Sequence, residues 1–206
     1  MNHDYFESFE REAKIGLKDQ AKRSIIQFIG SFDDDEDRYI WVWGYLSNFK
    51  DSDQGRIRYE LFSELIYPIL KKGYDEGHYE STLWLGRLIS NVHNHKAIDH
   101  ELGYPSEMLF YRKCYEIDPD REEGKLRLLD SLLNSLSHSE HSWPKGILYG
   151  MNGATLAECH VIRETAQFAL SLAIENRDQS FIASFLEKLD QYELKLTQNS
   201  KTSAEK

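Results

Sequence analysis

The 206-residue sequence predicts an all-α fold of about eight helices in antiparallel pairs, either a helical bundle or a short helical-repeat stack. Apolar residues recur at intervals of three and four along most of the chain, which is the spacing of helices that bury one face. The connections between these runs are mostly short, and short connections favour antiparallel neighbours. We expect one domain over residues 1–197 and a disordered C-terminal tail over 198–206.

The first two helices are predicted from an apolar stripe and an acidic start. The first covers residues 5–29, where the apolar side chains share one face: Phe6, Phe9, Ala13, Leu17, Ala21, Ile25, Phe28 and Ile29. The second covers 38–49 and follows an acidic run at 33–37, since carboxylates are favourable at the positive end of a helix. The alternating aromatic residues over 39–45 would also suit a strand. We favour a helix, because an isolated strand would leave its backbone unpaired.

A third helix is predicted from residue 57 to residue 73, with apolar side chains at four-residue intervals. Pro68 should bend it near its end, and Gly73, which follows two lysines, is the expected stop. A fourth helix is predicted over 79–92. Residues 91–105 are polar and rich in histidine, so we expect a long loop there.

The remaining helices are predicted over 106–117, 120–136, 155–176 and 179–196. The helix at 155 should begin with a capping box, in which the Thr155 hydroxyl accepts from a backbone amide and Glu158 accepts from the Thr155 amide. Cys114 and Cys159 lie far apart and lack partners at metal-ligand spacing, so we expect two buried free thiols.

The charge of the chain bears on its partners. Asp and Glu number 35 against 25 Lys and Arg, which gives a formal net charge of -10 and opposes broad attraction to nucleic acid or to an anionic membrane. A basic protein partner is favoured instead. The 13% aromatic content is typical of chains that associate, and it allows a homo-oligomer. Without a signal peptide or an apolar run of about 18 residues, the chain is expected in the cytoplasm.

One short segment resembles a known repeat. In residues 110–120, Tyr111 stands at the aromatic position, Cys114 at the small position and Pro119 at the helix-ending position of the second helix of a tetratricopeptide repeat. The resemblance implies stacked helices that form a curved scaffold for peptides or partner proteins. Residues 91–100 lack the first-helix pattern of that family. The alternative is an ordinary helix end, because proline cannot continue a helix.

Two histidine groups provide donors that a divalent transition metal accepts. The first lies in the predicted loop and comprises His93, His95, Asp99, His100 and Glu101. The second comprises His138 and His141, just past one helix, and the pair His160 and Glu164, which share a face of the next helix. The alternatives are solvated loop histidines in the first group and, for His138 and His141, interactions with the last carbonyls of the preceding helix.

A glycine-rich loop precedes the capping box. Its glycines, at 146, 150 and 153, do not have the spacing of a phosphate-binding loop, and no strand precedes them. If the chain has a small-molecule pocket, its residues should be Trp143, Lys145, Tyr149 and Asn152. The alternative is an ordered loop with a structural role only.

Three functions follow from these observations. We favour a non-catalytic acidic helical domain, immunity-like or adaptor-like, that binds a basic protein and uses no cofactor. Immunity proteins that neutralise basic nuclease toxins are similar to this chain in size and charge. The alternative is a metal-dependent hydrolase built on the histidine groups. A third function is the binding of an anionic small molecule at the glycine-rich loop. We assign no catalytic residue.

Overall fold

The computed structural model describes residues 1–49, 57–140 and 155–204, and these ranges contain eleven helices and no strand. The all-α class is therefore confirmed. The number exceeds eight because two of the predicted helices are each divided and a further helix lies in the predicted loop. The chain, which the sequence predicts to be one domain, divides into two compact units, Met1–Asp118 and Pro119–Lys206. None of the helices in the described ranges has the length and apolar content needed to cross a membrane.

The first unit contains eight of the described helices. They are α1 (His3–Lys14), α2 (Lys18–Gly30), α3 (Asp35–Ser47), α4 (Tyr59–Leu61, a π-helical turn Phe62–Ile66, and Tyr67–Asp75), α5 (Tyr79–Arg87), α6 (Ile89–Asn94), α7 (Lys96–Glu101) and α8 (Glu107–Ile117). The main pairs are α1 with α2, α4 with α5, and α5 with α8. Their apolar faces enclose one core, whose largest fully buried side chains include Phe28, Phe62 and Phe110.

The predicted helix over 5–29 is two helices, because the backbone turns at Gly16. Gly16 has a φ of 82°, which side chains rarely adopt. The Leu17 amide donates to the Glu12 carbonyl at 2.9 Å and the Gly16 amide to the Ala13 carbonyl at 3.2 Å, which is the pattern of a Schellman helix end. The resulting hairpin brings Phe6 of α1 to 5.0 Å from Phe28 of α2, measured between ring centroids.

The end of α4 also differs from the prediction. Gly73 is buried inside the helix, and the chain turns at Gly77, which has a φ of 77°. Gly73 has no side chain, and this leaves room for Ser81 of α5: a Cβ at Gly73 would lie 2.8 Å from the Ser81 Cβ. Immediately before Pro68 the helix makes a π-helical turn, in which the Tyr67 amide donates to the Phe62 carbonyl. This turn accommodates a residue that has no amide proton.

The predicted helix over 79–92 and the predicted loop over 91–105 are corrected together. Leu88 leaves the helical conformation (φ -100°, ψ 23°), so α5 and α6 are separate helices. Most of the expected loop is helical, as α6 and α7. Several side chains of this polar segment are buried, among them Val92, His95 and Ile98, and their packing holds these short helices in place.

The segment that resembles a tetratricopeptide repeat forms α8 and its end. Tyr111 packs its ring against Gly86 of α5. The Cys114 thiol donates a hydrogen bond to the Tyr79 carbonyl oxygen at 3.8 Å. The helix ends at Ile117, and Asp118 before Pro119 is extended (φ -147°, ψ 89°), as expected for a residue that precedes proline. Membership of that family stays a prediction.

The second unit contains three described helices: α9 (Glu122–Glu140), α10 (Leu156–Leu172) and α11 (Asn176–Ala204). They pack through buried side chains spaced by three and four residues, among them Leu128, Leu132, Leu136, Ile162, Ala166, Ala169, Ile182, Phe185 and Leu189. The predicted capping box is confirmed: the Glu158 amide donates to Thr155 Oγ1 at 3.2 Å, and the Thr155 amide donates to Glu158 Oε2 at 2.9 Å. Both cysteines are buried and free, as predicted.

The helix α11 extends into the segment 198–206, which the sequence predicts to be a disordered tail. No glycine or proline follows Asn176, so the residue pattern supplies no helix stop before the end of the chain.

We expect Gly73→Ala to lower the free energy of unfolding by about 1–3 kcal/mol, because the added methyl group overpacks the contact between α4 and α5. The matched control is Gly44→Ala in α3, where a Cβ would have no neighbour within 4 Å. That substitution should raise the free energy of unfolding by about 0.5–1 kcal/mol. Urea unfolding followed by circular dichroism measures both. Equal changes in the free energy of unfolding for the two variants would contradict the prediction, because they would show that the close contact between α4 and α5 at Gly73 does not contribute to stability.

Candidate functional site

The best candidate for a functional surface begins at the acidic start of α3. Asp34 caps this helix, accepting from the Asp37 amide at 2.8 Å. The carboxylates of residues 35–37 occupy its first turn, where the helix dipole favours negative charge. A helix is therefore confirmed here, although it begins at Asp35 instead of the predicted residue 38, and its acidic run lies at its N-terminal end.

One side of α3 is anchored in the core of the first unit. Val42 and Leu46 are fully buried, one turn apart. The Trp41 ring lies 4.9 Å from Phe28 and 5.3 Å from Phe6, and it stacks on Tyr45 at 5.0 Å. This packing determines which residues of α3 face solvent.

A second set of α3 residues, which we call the α3 outer face, consists of Glu36, Tyr39, Ile40 and Trp43. These residues are three or four apart and therefore adjacent on the helix surface. Tyr39 is 54% exposed and Ile40 is 62% exposed, while Trp43 is half-buried with its ring 6.0 Å from that of Tyr39. The face combines a carboxylate with two aromatic rings and an exposed isoleucine.

A cleft of about 260 Å³ adjoins the α3 outer face and shares Tyr39 with it. Its apolar part comes from α4 and includes Leu65, Pro68 and Ile69. The charged residues that line it are Asp35, Arg38, Glu64, Lys72 and Glu76. The remaining lining residues are Gly73, His78 and Ser81. The cleft is thus bordered by α3, α4 and the start of α5, so the π-helical turn and the glycine contact of α4 both contribute to its shape.

The charges in the cleft differ in how they are paired. Glu76 Oε2 lies 3.5 Å from His78 Nε2. The Arg38 guanidinium lies 6.0 Å from the centre of the Phe32 ring. Within the described ranges, Asp35, Arg38, Glu64 and Lys72 have no ion-pair partner within 4.0 Å. Two carboxylates, one guanidinium group and one ammonium group in the cleft are therefore without an ion-pair partner in the described structure.

The first histidine group does not converge on a metal position. His93 Nδ1 lies 2.9 Å from Asp99 Oδ1, His100 contacts the edge of Tyr104, and Glu101 lies 3.7 Å from Lys71. His95 is only 3% exposed and points into the core instead. Across the part of the chain that the structure describes, no three His, Cys, Asp or Glu side chains are grouped to hold a metal ion.

The second histidine group is described only in part. His160 Nε2 lies 3.4 Å from Glu164 Oε1, so the predicted pair is adjacent, and both side chains are exposed. His138 is exposed near the end of α9. His141 lies outside the described residues, as do Trp143, Lys145, Tyr149 and Asn152 of the glycine-rich loop. A metal at the second group and a ligand at that loop stay predictions.

The buried thiol of Cys159 does not have the surroundings of a nucleophile. Burial raises the pKa of Cys159, and the carboxylates of Glu193 and Glu158 raise it further. A raised pKa keeps the group as the thiol, which is the unreactive form.

The chain matches no protein-family model, no curated protein and no solved structure. The candidate site therefore depends on geometry and charge alone. The exposed residues of the α3 outer face were not among the predicted site residues. Once α3 is a helix, the buried pair Val42 and Leu46 places Ile40 on another side. The pair does not predict the exposure of Tyr39, which lies three residues before Val42 and seven before Leu46 and therefore near the same stripe.

His95 is a buried histidine of the first unit, 3% exposed. His95 stacks on Tyr59 with ring centroids 3.5 Å apart, and Phe62 lies 5.3 Å away. Burial lowers the pKa of His95, and the nearby Glu60 carboxylate opposes part of this change. The neutral imidazole is thus the form that the folded chain favours.

We expect the free energy of unfolding to fall as the pH decreases below about 6.5, the ordinary pKa of histidine. The unfolded chain then binds a proton that the folded chain excludes, and this loss continues until the pH reaches the lowered pKa of His95. His95→Phe keeps the ring stack and should remove this component, whereas His3→Phe at an exposed position should not. Urea unfolding at several pH values measures it. Parallel curves for His95→Phe and the unmodified chain would contradict the assignment.

Proposed function

We propose that this chain is a non-catalytic interaction domain that binds a basic protein through the α3 outer face. The observation that carries the proposal is the exposure of Tyr39 and Ile40 beside the carboxylates of residues 33–37. Protein interfaces have an apolar centre that is rich in aromatic residues and a polar rim. The α3 outer face has both parts on one helix.

The charge of the chain supports a basic partner. The formal net charge is -10, and five consecutive acidic residues precede the exposed aromatic residues. Complementary charge speeds encounter and excludes partners of the same sign, while the apolar centre provides most of the affinity. An immunity-like or adaptor-like domain would bind a basic protein in this way, through shape and charge. We propose that the binding takes place in the cytoplasm.

No observation in the described ranges favours either alternative over this proposal. The metal-dependent hydrolase needs donors that converge, and His93, His95 and His100 have separate partners or surroundings. The anion-binding hypothesis depends on residues 143–152, which lie outside those ranges.

The proposal is tested by affinity capture of partners from a lysate of the source organism. Ile40→Gln should reduce recovery of a basic protein by about tenfold or more, because a central apolar contact of an interface contributes about 2 kcal/mol. The matched control is Ile174→Gln, since Ile174 is 71% exposed and belongs to the second unit. Recovery with the control should equal that with the unmodified chain.

Salt provides a second measurement on the same capture. Recovery of the partner should decrease from about 0.05 M to about 0.5 M NaCl, because exposed charges are screened over that range. The proposal is wrong if the unmodified chain retains no basic protein at near-equal amounts, or if Ile40→Gln and Ile174→Gln retain it equally well.

A further inference from the structure

We propose that the cleft beside the α3 outer face takes the side chain of one arginine of the basic partner. This inference rests on the proposed function, and it names the contact that anchors the partner. Three features of the cleft, namely an apolar floor, an aromatic wall and available carboxylates, together match the parts of an arginine side chain.

The floor of the cleft fits an aliphatic stem. Leu65 is 1% exposed, and Pro68 and Ile69 continue the apolar surface along α4. Gly73 adds no side chain to this part of the lining. Arginine and lysine bury their methylene groups along such surfaces while the charged end stays among polar groups.

The wall of the cleft is the exposed ring of Tyr39. A guanidinium group stacks favourably on an aromatic face, and arginine does so more often than lysine. The chain makes this contact elsewhere: the Arg87 guanidinium carbon lies 3.9 Å from the centre of the Trp84 ring. Among the described residues, no cation occupies the face of Tyr39. This ring is therefore available to a cation from a partner.

The charged end of the arginine would meet Asp35 and Glu64. Both carboxylates line the cleft, one from α3 and one from α4, and neither has an ion-pair partner in the described structure. Guanidinium groups bind carboxylates through paired hydrogen bonds, which is why arginine is favoured over lysine here. Arg38 and Lys72 also line the cleft and oppose a cation. Removal of the Lys72 charge should therefore strengthen binding of a cation in this cleft.

The probe is N-acetyl-arginine amide, titrated into the full-length isotope-labelled chain and followed by the NMR shifts of backbone amides. We expect saturable binding with a Kd on the order of millimolar, as for a fragment of an interface. The shifted amides should lie at residues of the cleft. N-acetyl-citrulline amide has the same shape without the charge, and it should bind at least about fivefold more weakly.

Three variants separate the contact from general charge effects. Glu64→Gln should weaken binding of the arginine probe by about three- to tenfold, and Lys72→Gln should strengthen it by about two- to fivefold. Glu10→Gln removes an equal charge from an exposed position on α1 that does not line the cleft, and it should leave the affinity unchanged. All three positions tolerate a polar side chain, so folding is retained.

Equal affinity for the arginine and citrulline probes would overturn the inference, and so would an equal response of Glu64→Gln and Glu10→Gln. The result of the arginine titration can be distinguished from the result of the affinity capture. A basic partner that depends on Ile40, together with no arginine binding, overturns the cleft inference alone. Arginine binding at the cleft without any such partner supports the cleft as a guanidinium site and overturns the proposed function.

Discussion

The contact between Trp41 of α3 and Phe28 of α2, with ring centroids 4.9 Å apart, is the interaction on which the rest of the candidate surface depends. It fixes the rotation of α3 about its axis. With Trp41, Val42 and Leu46 turned inward, and with Trp43 and Tyr45 half-buried against the core, Tyr39 and Ile40 are the apolar residues of the helix that stay exposed. The hairpin of α1 and α2 supports this contact, because Gly16 allows Phe6 to return to the same aromatic cluster.

The shape of the cleft follows from two irregularities of α4. A regular helix through Pro68 would place the proline ring against the carbonyl four residues earlier, and the π-helical turn Phe62–Ile66 avoids this. Five residues after the proline, Gly73 allows α5 to approach closely enough for Ser81 to line the cleft. Both features weaken α4 as an isolated helix, since π-helical turns and glycine are costly there. They are retained in a helix that borders the candidate site.

The parts of the fold that the sequence predicts well are those that local chemistry specifies. Thr155 and Glu158 form their capping box from residues three apart, and the carboxylates of 35–37 lie at the N-terminal end of α3, where the helix dipole favours them. The errors arise where distant residues decide. Gly73 and Gly77 are both reasonable helix stops, and only the approach of Ser81 shows that Gly73 is interior. His95 is polar in a polar segment, and its burial requires the Tyr59 ring from another helix.

The sequence by itself determined the all-α class, the acidic charge, most of the helix positions and the two buried thiols, because periodicity, capping and composition are properties of neighbouring residues. Only the tertiary structure decided that the first stripe is a hairpin, that the histidines of 93–100 have separate surroundings, and that Tyr39 borders a cleft with Glu64. Each of these three features depends on which helices pack against each other. Helix pairing is set by side-chain packing over long sequence separations, which a periodic pattern does not encode.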